Sequence, residues 1–209
     1  MDSEKATAHI VEMDPAFASL IQAAGPFTPR PPDADAFNSL ARAIVFQQLA
    51  GAAARAIHGR FAALFDGHPT AEAVLTTSID QLRSVGLSGN KAASMADLAL
   101  KTTDGTVPVD HLDELSDAEI VVRLSTVRGI GRWTAEMFLI FQLQRPDVWP
   151  VDDYGIRKGF AAIHGLAAPP TPRALDALGE MYRPYRSVAA WYCWRAVDTI
   201  LPTVTVTVT

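Results

Sequence analysis

The chain has 209 residues, 49% of them hydrophobic, enough to bury a substantial core as one domain or two lobes. No apolar run approaches the length of a membrane span, and Met1 to Ile10 lacks a basic-then-apolar signal pattern. A soluble, cytoplasmic protein with no membrane partner is therefore expected, and Cys193, the only cysteine, excludes an intrachain disulfide. The net charge of −5 excludes a uniformly basic surface. Its distribution is uneven. Residues 1–120 carry eight basic against sixteen acidic residues, and residues 121–209 carry ten against seven.

In chain order, residues 1–24 predict one helix, Pro15 to Ala24, capped by Asp14 and carrying Phe17, Leu20 and Ile21 on one face. The proline-rich stretch Gly25 to Asp35 reads as a connector. Helical patterns follow over 36–49, 52–65, 70–76, 79–85 and 91–101. After Asp104-Gly105 they resume over 117–127, 133–142, 153–164, 172–181 and 188–201. Alternating strand patterns are confined to Thr203 to Thr209, TVTVTVT, which is expected to be an exposed tail rather than an edge strand. The expected fold is all-α and two-lobed. Its divisions are an N-terminal helix and connector (1–35) joining the second lobe, a first helical lobe (36–104), a second lobe (105–201) and a tail (202–209).

The most informative stretch is residues 124–160. Gly129-Ile130-Gly131 interrupts an apolar pattern formed by Ile120, Val121, Leu124 and Val127, and a second pattern follows at Ala135, Phe138, Leu139 and Phe141. Two glycines there permit positive φ and close backbone approach. The N–H groups opening the second helix have no intrahelical partners, so they can hold an anion such as a DNA phosphate. About twenty residues on, Asp152 and Asp153 follow Trp149-Pro150 and precede a helical run. A carboxylate near a phosphate-holding hairpin points to chemistry on a nucleotide.

The run LSTVRGIGRWTA followed by PVDDYGIR resembles the helix–hairpin–helix (HhH-GPD) DNA glycosylases. Tryptophan after the hairpin arginine matches their 3-methyladenine glycosylase II (alkylation-repair) branch. Three further segments resemble the family in its own order. They are the opening helix pair around NSLARAIVFQQLAGAAARAIHGRF, the helix–turn–helix VGLSGNKAASMADL and the closing aromatic helix YRPYRSVAAWYCWR. Together these cover most of residues 37–196. The resemblance implies an active site in the cleft between two lobes. Some relatives carry an iron–sulfur cluster on four cysteines, which this chain cannot. Larger alkylation-repair relatives have an added N-terminal α/β domain, which is not expected in these 209 residues.

The resemblance also assigns roles. The family's catalytic aspartate stands three residues before an apolar helix position; Asp153 has Ile156 there, whereas Asp152 has Gly155 and is expected to cap the helix. Trp133 and Trp194, with Tyr154, are expected to line the pocket for a flipped base, because an electron-poor alkylated purine gains from aromatic stacking and a cation–π term. Trp149 and Trp191 are assigned to packing. Leu49 is the expected wedge in the gap left by the flipped nucleotide, and Gln48 a partner for the orphaned base. Gly129, Gly131, Arg132, Thr134 and Lys91 are expected at the DNA backbone. The carbonyls of Ser125, Val127 and Ile130 match a site for a structural Na+ or K+, and no other cofactor is required. His58, His68, His111 and His164 show no ligand spacing and are expected at surfaces or turns. The expected activity is monofunctional excision of alkylated purines, 3-methyladenine above all and 7-methylguanine also, from double-stranded DNA by a monomer using water. The alternatives are a noncatalytic DNA-binding module and a glycosylase for another lesion. Strand-cleaving relatives for oxidised bases carry their lysine where this chain has Trp133.

Overall fold

The structure, a computed structural model, describes residues 1–200; the TVTVTVT segment lies outside the described residues. Among those residues all regular structure is helical. The twelve α-helices are α1 (Ser3–Met13), α2 (Ala18–Ala24), α3 (Ala36–Phe46), α4 (Gly51–Ala63), α5 (Ala71–Thr76), α6 (Ile79–Ser84), α7 (Gly89–Thr103), α8 (Asp117–Leu124), α9 (Arg132–Phe141), α10 (Tyr154–Ile163), α11 (Pro172–Gly179) and α12 (Arg186–Thr199). Eight begin at a side chain that accepts a first-turn N–H, as Ser116 does for Glu119 in a reciprocal capping box at α8.

Two differences from the expected helices have local causes. The sequence pattern does not predict helix α1. Asp2 caps it through the N–H groups of Glu4 and Lys5, and its buried stripe is only Ala6 and Ile10, too short to stand out in a polar stretch. Helix α3 stops at Phe46 rather than at residue 49, because Gln47 leaves the helical region (φ −54°, ψ 130°) and Gln48 turns left-handed at φ 54°.

The described residues form two compact units: 1–30 together with 144–200, and Pro31–Leu143. In the first, α10 packs along α12, with α1 and α2 against α12. Its core includes Ile10, Phe17, Trp149, Ile156, Phe160, Tyr182 and Tyr192. Trp149 is buried and donates its indole N–H to the Leu175 carbonyl at 2.9 Å, consistent with a packing role. His164 lies in the turn closing α10, as expected, but is partly buried and engaged on both ring nitrogens. Its Nε2 lies 2.7 Å from the Asp14 carboxylate and its Nδ1 2.8 Å from the Phe160 carbonyl, while the Tyr182 hydroxyl donates to the same Asp14 oxygen at 2.5 Å.

In the second unit, α3 packs on α4, α7 and α9, and α8 packs on α9. The unit boundary therefore falls after Leu143, not near residue 105, and the hairpin belongs with α3–α7 rather than with Asp153. Side chains from α7 and from the turn after α3 grip the hairpin backbone, as the site geometry shows.

Candidate functional site

The hairpin between α8 and α9 is shaped by one glycine. Gly129 sits at φ 78°, in the left-handed region where an added Cβ costs energy, and that Cβ would stand 2.8 Å from the Ser94 Oγ. Gly131 differs from the expectation. It is extended (φ −99°, ψ 178°), and a Cβ there would meet nothing within 4 Å. As the N-cap of α9, Gly131 offers no side-chain acceptor to the first-turn N–H groups, so an anion can approach them.

The hairpin is held from behind. The Gln47 Nε2 donates to the Gly129 carbonyl at 2.8 Å, and the Arg128 N–H donates to the Asp97 carboxylate at 2.7 Å. Lys101 binds the same Asp97 oxygen at 2.8 Å and also donates to the Thr126 carbonyl. Burial alone would raise the Asp97 pKa; the Arg128 N–H and the Lys101 ammonium outweigh it and hold the carboxyl below its ordinary 3.8. Neither Gln47 nor Asp97 was singled out in the sequence. The only signal for Asp97 is Lys101 four residues later on the same helix face.

Several expected backbone-binding residues are placed differently. Lys91 points its ammonium at the Val45 and Gln47 carbonyls, 2.7 Å from each, and so caps the C-terminal end of α3 instead of reaching outward to phosphate. Desolvation there pulls its pKa below the usual lysine range. Thr134 is buried, so its side chain presents no surface to DNA. Arg132 is exposed along its length, yet its Nε donates to the buried Glu136 at 2.8 Å. Farther along, Arg183 and Arg186 both pair with Asp147 and Glu180. Arg132, Arg183 and Arg186, three of the ten basic residues after position 120, are thus paired with carboxylates of the protein itself.

Three exposed apolar side chains fit roles at a surface. Leu49, 38% exposed, follows the left-handed Gln48 at the turn between α3 and α4. Trp133, 49% exposed, stands in the first turn of α9. Tyr154 is 61% exposed at the start of α10, with the Arg157 guanidinium 5.5 Å from its ring centre.

Asp153, not the expected Asp152, is the N-cap of α10; Asp152 is exposed and caps nothing. The Asp153 Oδ1 accepts from the Ile156 N–H at 2.8 Å and from the Trp194 indole N–H at 3.0 Å. The three-residue spacing to Ile156 is thus a capping bond in which the apolar residue supplies its backbone N–H. Trp194, half-buried on α12, reaches Asp153 because α10 is narrow on that side. A Cβ on Gly159 would coincide with the Cys193 carbonyl, and one on Gly155 would stand 3.0 Å from the Asp153 Oδ1. Glycines four residues apart on one helix are legible as a close-packing face, but not as the feature that joins this pair.

This chain belongs to the HhH-GPD superfamily of base excision DNA repair proteins, whose family model matches residues 41–184. It is 35% identical over 196 residues to DNA-3-methyladenine glycosylase 1 of Schizosaccharomyces pombe, covering 91% of this chain and 86% of that one. Over 170 residues it is 29% identical to DNA-3-methyladenine glycosylase 2 of Escherichia coli, covering 77% and 57%. Among solved structures, the Schizosaccharomyces pombe 3-methyladenine DNA glycosylase in complex with abasic DNA superposes with a TM-score of 0.82 at 35% identity, over 93% of this chain and 97% of that one.

Proposed function

We propose that the protein is a monofunctional DNA glycosylase that flips alkylated purines, 3-methyladenine above all and 7-methylguanine also, out of duplex DNA and hydrolyses their N-glycosidic bond as a monomer. The observation that carries this reading is a carboxylate, Asp153, held by two N–H donors at the head of a helix, in a base-excision-repair chain whose relatives bear 3-methyladenine glycosylase names. As the base departs, positive charge develops on the deoxyribose. A fixed carboxylate stabilises that charge and orients or deprotonates the attacking water. Tyr154 beside Asp153 offers an aromatic face to the extruded base, a wedge role falls to Leu49 and an orphan-base role to Gln48, and the N-terminus of α9 holds the phosphate. The carbonyls of Ser125, Val127 and Ile130 present neutral oxygen donors for Na+ or K+. The Val127 carbonyl already accepts from the Ile130 N–H, which leaves it a second lone pair.

The test is base release from methylated duplex DNA, with products separated by chromatography. Asp153→Asn is expected to lower single-turnover release by at least about a hundredfold, on the scale of a lost electrostatic stabiliser. Binding to abasic-analogue duplex should persist, because asparagine keeps an oxygen for the Ile156 and Trp194 donors. A chain that binds DNA and frees no base would be the noncatalytic module instead.

A further inference from the structure

We infer that Trp194 is a positioning residue whose indole N–H fixes the Asp153 carboxylate, and that Gly155 and Gly159 are small so that this bond can form. The inference deepens the glycosylase reading and rests on Asp153 being its catalytic carboxylate. Three observations converge on it. The indole Nε1 donates to Asp153 Oδ1 at 3.0 Å, and the Ile156 N–H donates to the same oxygen at 2.8 Å. Two donors on one oxygen set both the χ angles of the carboxylate and the plane in which its second oxygen lies. The bond also runs across the bare face of α10: a Cβ on Gly155 would stand 3.0 Å from Oδ1, 3.1 Å from the Trp194 Cδ1 and 3.3 Å from its Nε1. One turn on, Gly159 lets the Cys193 carbonyl of α12 sit against the α10 backbone, which brings residue 194 within reach of the N-cap. Finally, the Trp194 ring packs partly buried against the core cluster, so its orientation is fixed by packing. An aspartate capped only by its own helix could swing between its two oxygens. This one is locked from outside the helix.

A stacking role and a positioning role separate on one atom. Replacing Trp194 with benzothienylalanine exchanges the indole N–H for sulfur at nearly the same ring area and polarisability. Losing one hydrogen bond to a charged acceptor predicts a drop of about 10- to 100-fold in the single-turnover rate of base release. Affinity for abasic-analogue duplex and melting temperature should stay near wild type. Gly155→Ala, which leaves tryptophan in place but puts a methyl group against the bond, should lower the same rate constant without lowering affinity. Full activity of the benzothienylalanine protein would overturn the inference and return Trp194 to stacking or packing. So would a loss confined to affinity, or a fall in melting temperature with unchanged rate per folded molecule. A wild-type protein that releases no methylated base would instead overturn the glycosylase reading, so the two failures are distinguishable.

Discussion

Substituting the two hairpin glycines separately should divide stability from DNA grip. In Gly129→Ala the new Cβ forces a left-handed residue with a side chain, at roughly 1–2 kcal/mol. It also stands 2.8 Å from the Oγ of Ser94, a buried residue that has to turn away. Alanine restricts the unfolded chain by about 0.4–1 kcal/mol, which offsets part of this. The expected net loss is about 1–2 kcal/mol, or roughly 2–8 °C in melting temperature for a chain of this size. Gly131→Ala meets no such obstacles, since φ is −99° and nothing lies within 4 Å of the added carbon. Its melting temperature should stay within about 2 °C, because a poorer N-cap residue and a restricted unfolded state nearly cancel.

Binding should show the reverse pattern. The Cβ at residue 131 enters the open space over the first turn of α9, where a phosphate would approach the N–H groups. Fluorescence anisotropy with abasic-analogue and undamaged duplexes, run beside thermal melts, reads both effects. Gly131→Val should weaken both duplexes by a similar factor at unchanged stability, whereas Gly129→Ala should lose stability first and binding with it. Undiminished binding by Gly131→Val, or a loss confined to damaged DNA, would refute the assignment of that space to phosphate.

Three further outcomes are expected. Leu49→Ala should leave the melting temperature nearly unchanged, the side chain being 38% exposed, while slowing base extrusion as read by 2-aminopurine fluorescence next to the lesion. Asp97 has a depressed folded pKa, so its contribution is fully present above its ordinary 3.8 and is lost as pH falls through the folded value; thermal melts should show hairpin-linked destabilisation below about pH 4 that Asp97→Asn lacks. Borohydride should trap no covalent adduct with abasic DNA. Lys91 and Lys101 are engaged with the Val45, Gln47 and Thr126 carbonyls and with Asp97, which leaves neither amine set to attack a sugar.

The sequence displayed the helices wherever an apolar stripe and a capping residue coincided, as at Ser116 with Ile120 and Leu124, or Thr171 with Leu175. It displayed the hairpin through Gly129 and the aspartate through its spacing to Ile156. It did not display what those features lean on. The Gln47 and Asp97 bonds to the hairpin span 82 and 31 residues, and the Trp194 bond to Asp153 spans 41. No periodicity reports pairs so distant. The same limit explains Lys91, whose place at a helix start suggested phosphate while its ammonium answers the carbonyls of another helix. Likewise Asp152 and Asp153 compete for one cap, and only the extended backbone at residue 153 (φ −68°, ψ 116°) decides between them.

The acidic balance of the chain and its membership of a DNA-repair family are reconciled by where the polar side chains are used. Gln47, Asp97 and Lys101 face the back of the hairpin, and Arg132, Arg183 and Arg186 pair with carboxylates of the protein. The bonds from Gln47, Asp97 and Lys101 hold the hairpin main chain in place, and in the function proposed above its backbone N–H groups meet the phosphates. Such contacts carry no sequence information and need no broad basic field. On that proposal the protein gains little from long-range electrostatic attraction to DNA, and its grip depends on hairpin geometry. A change behind the hairpin, at Asp97 or Gln47, should therefore weaken DNA binding more than removal of an exposed arginine in front of it.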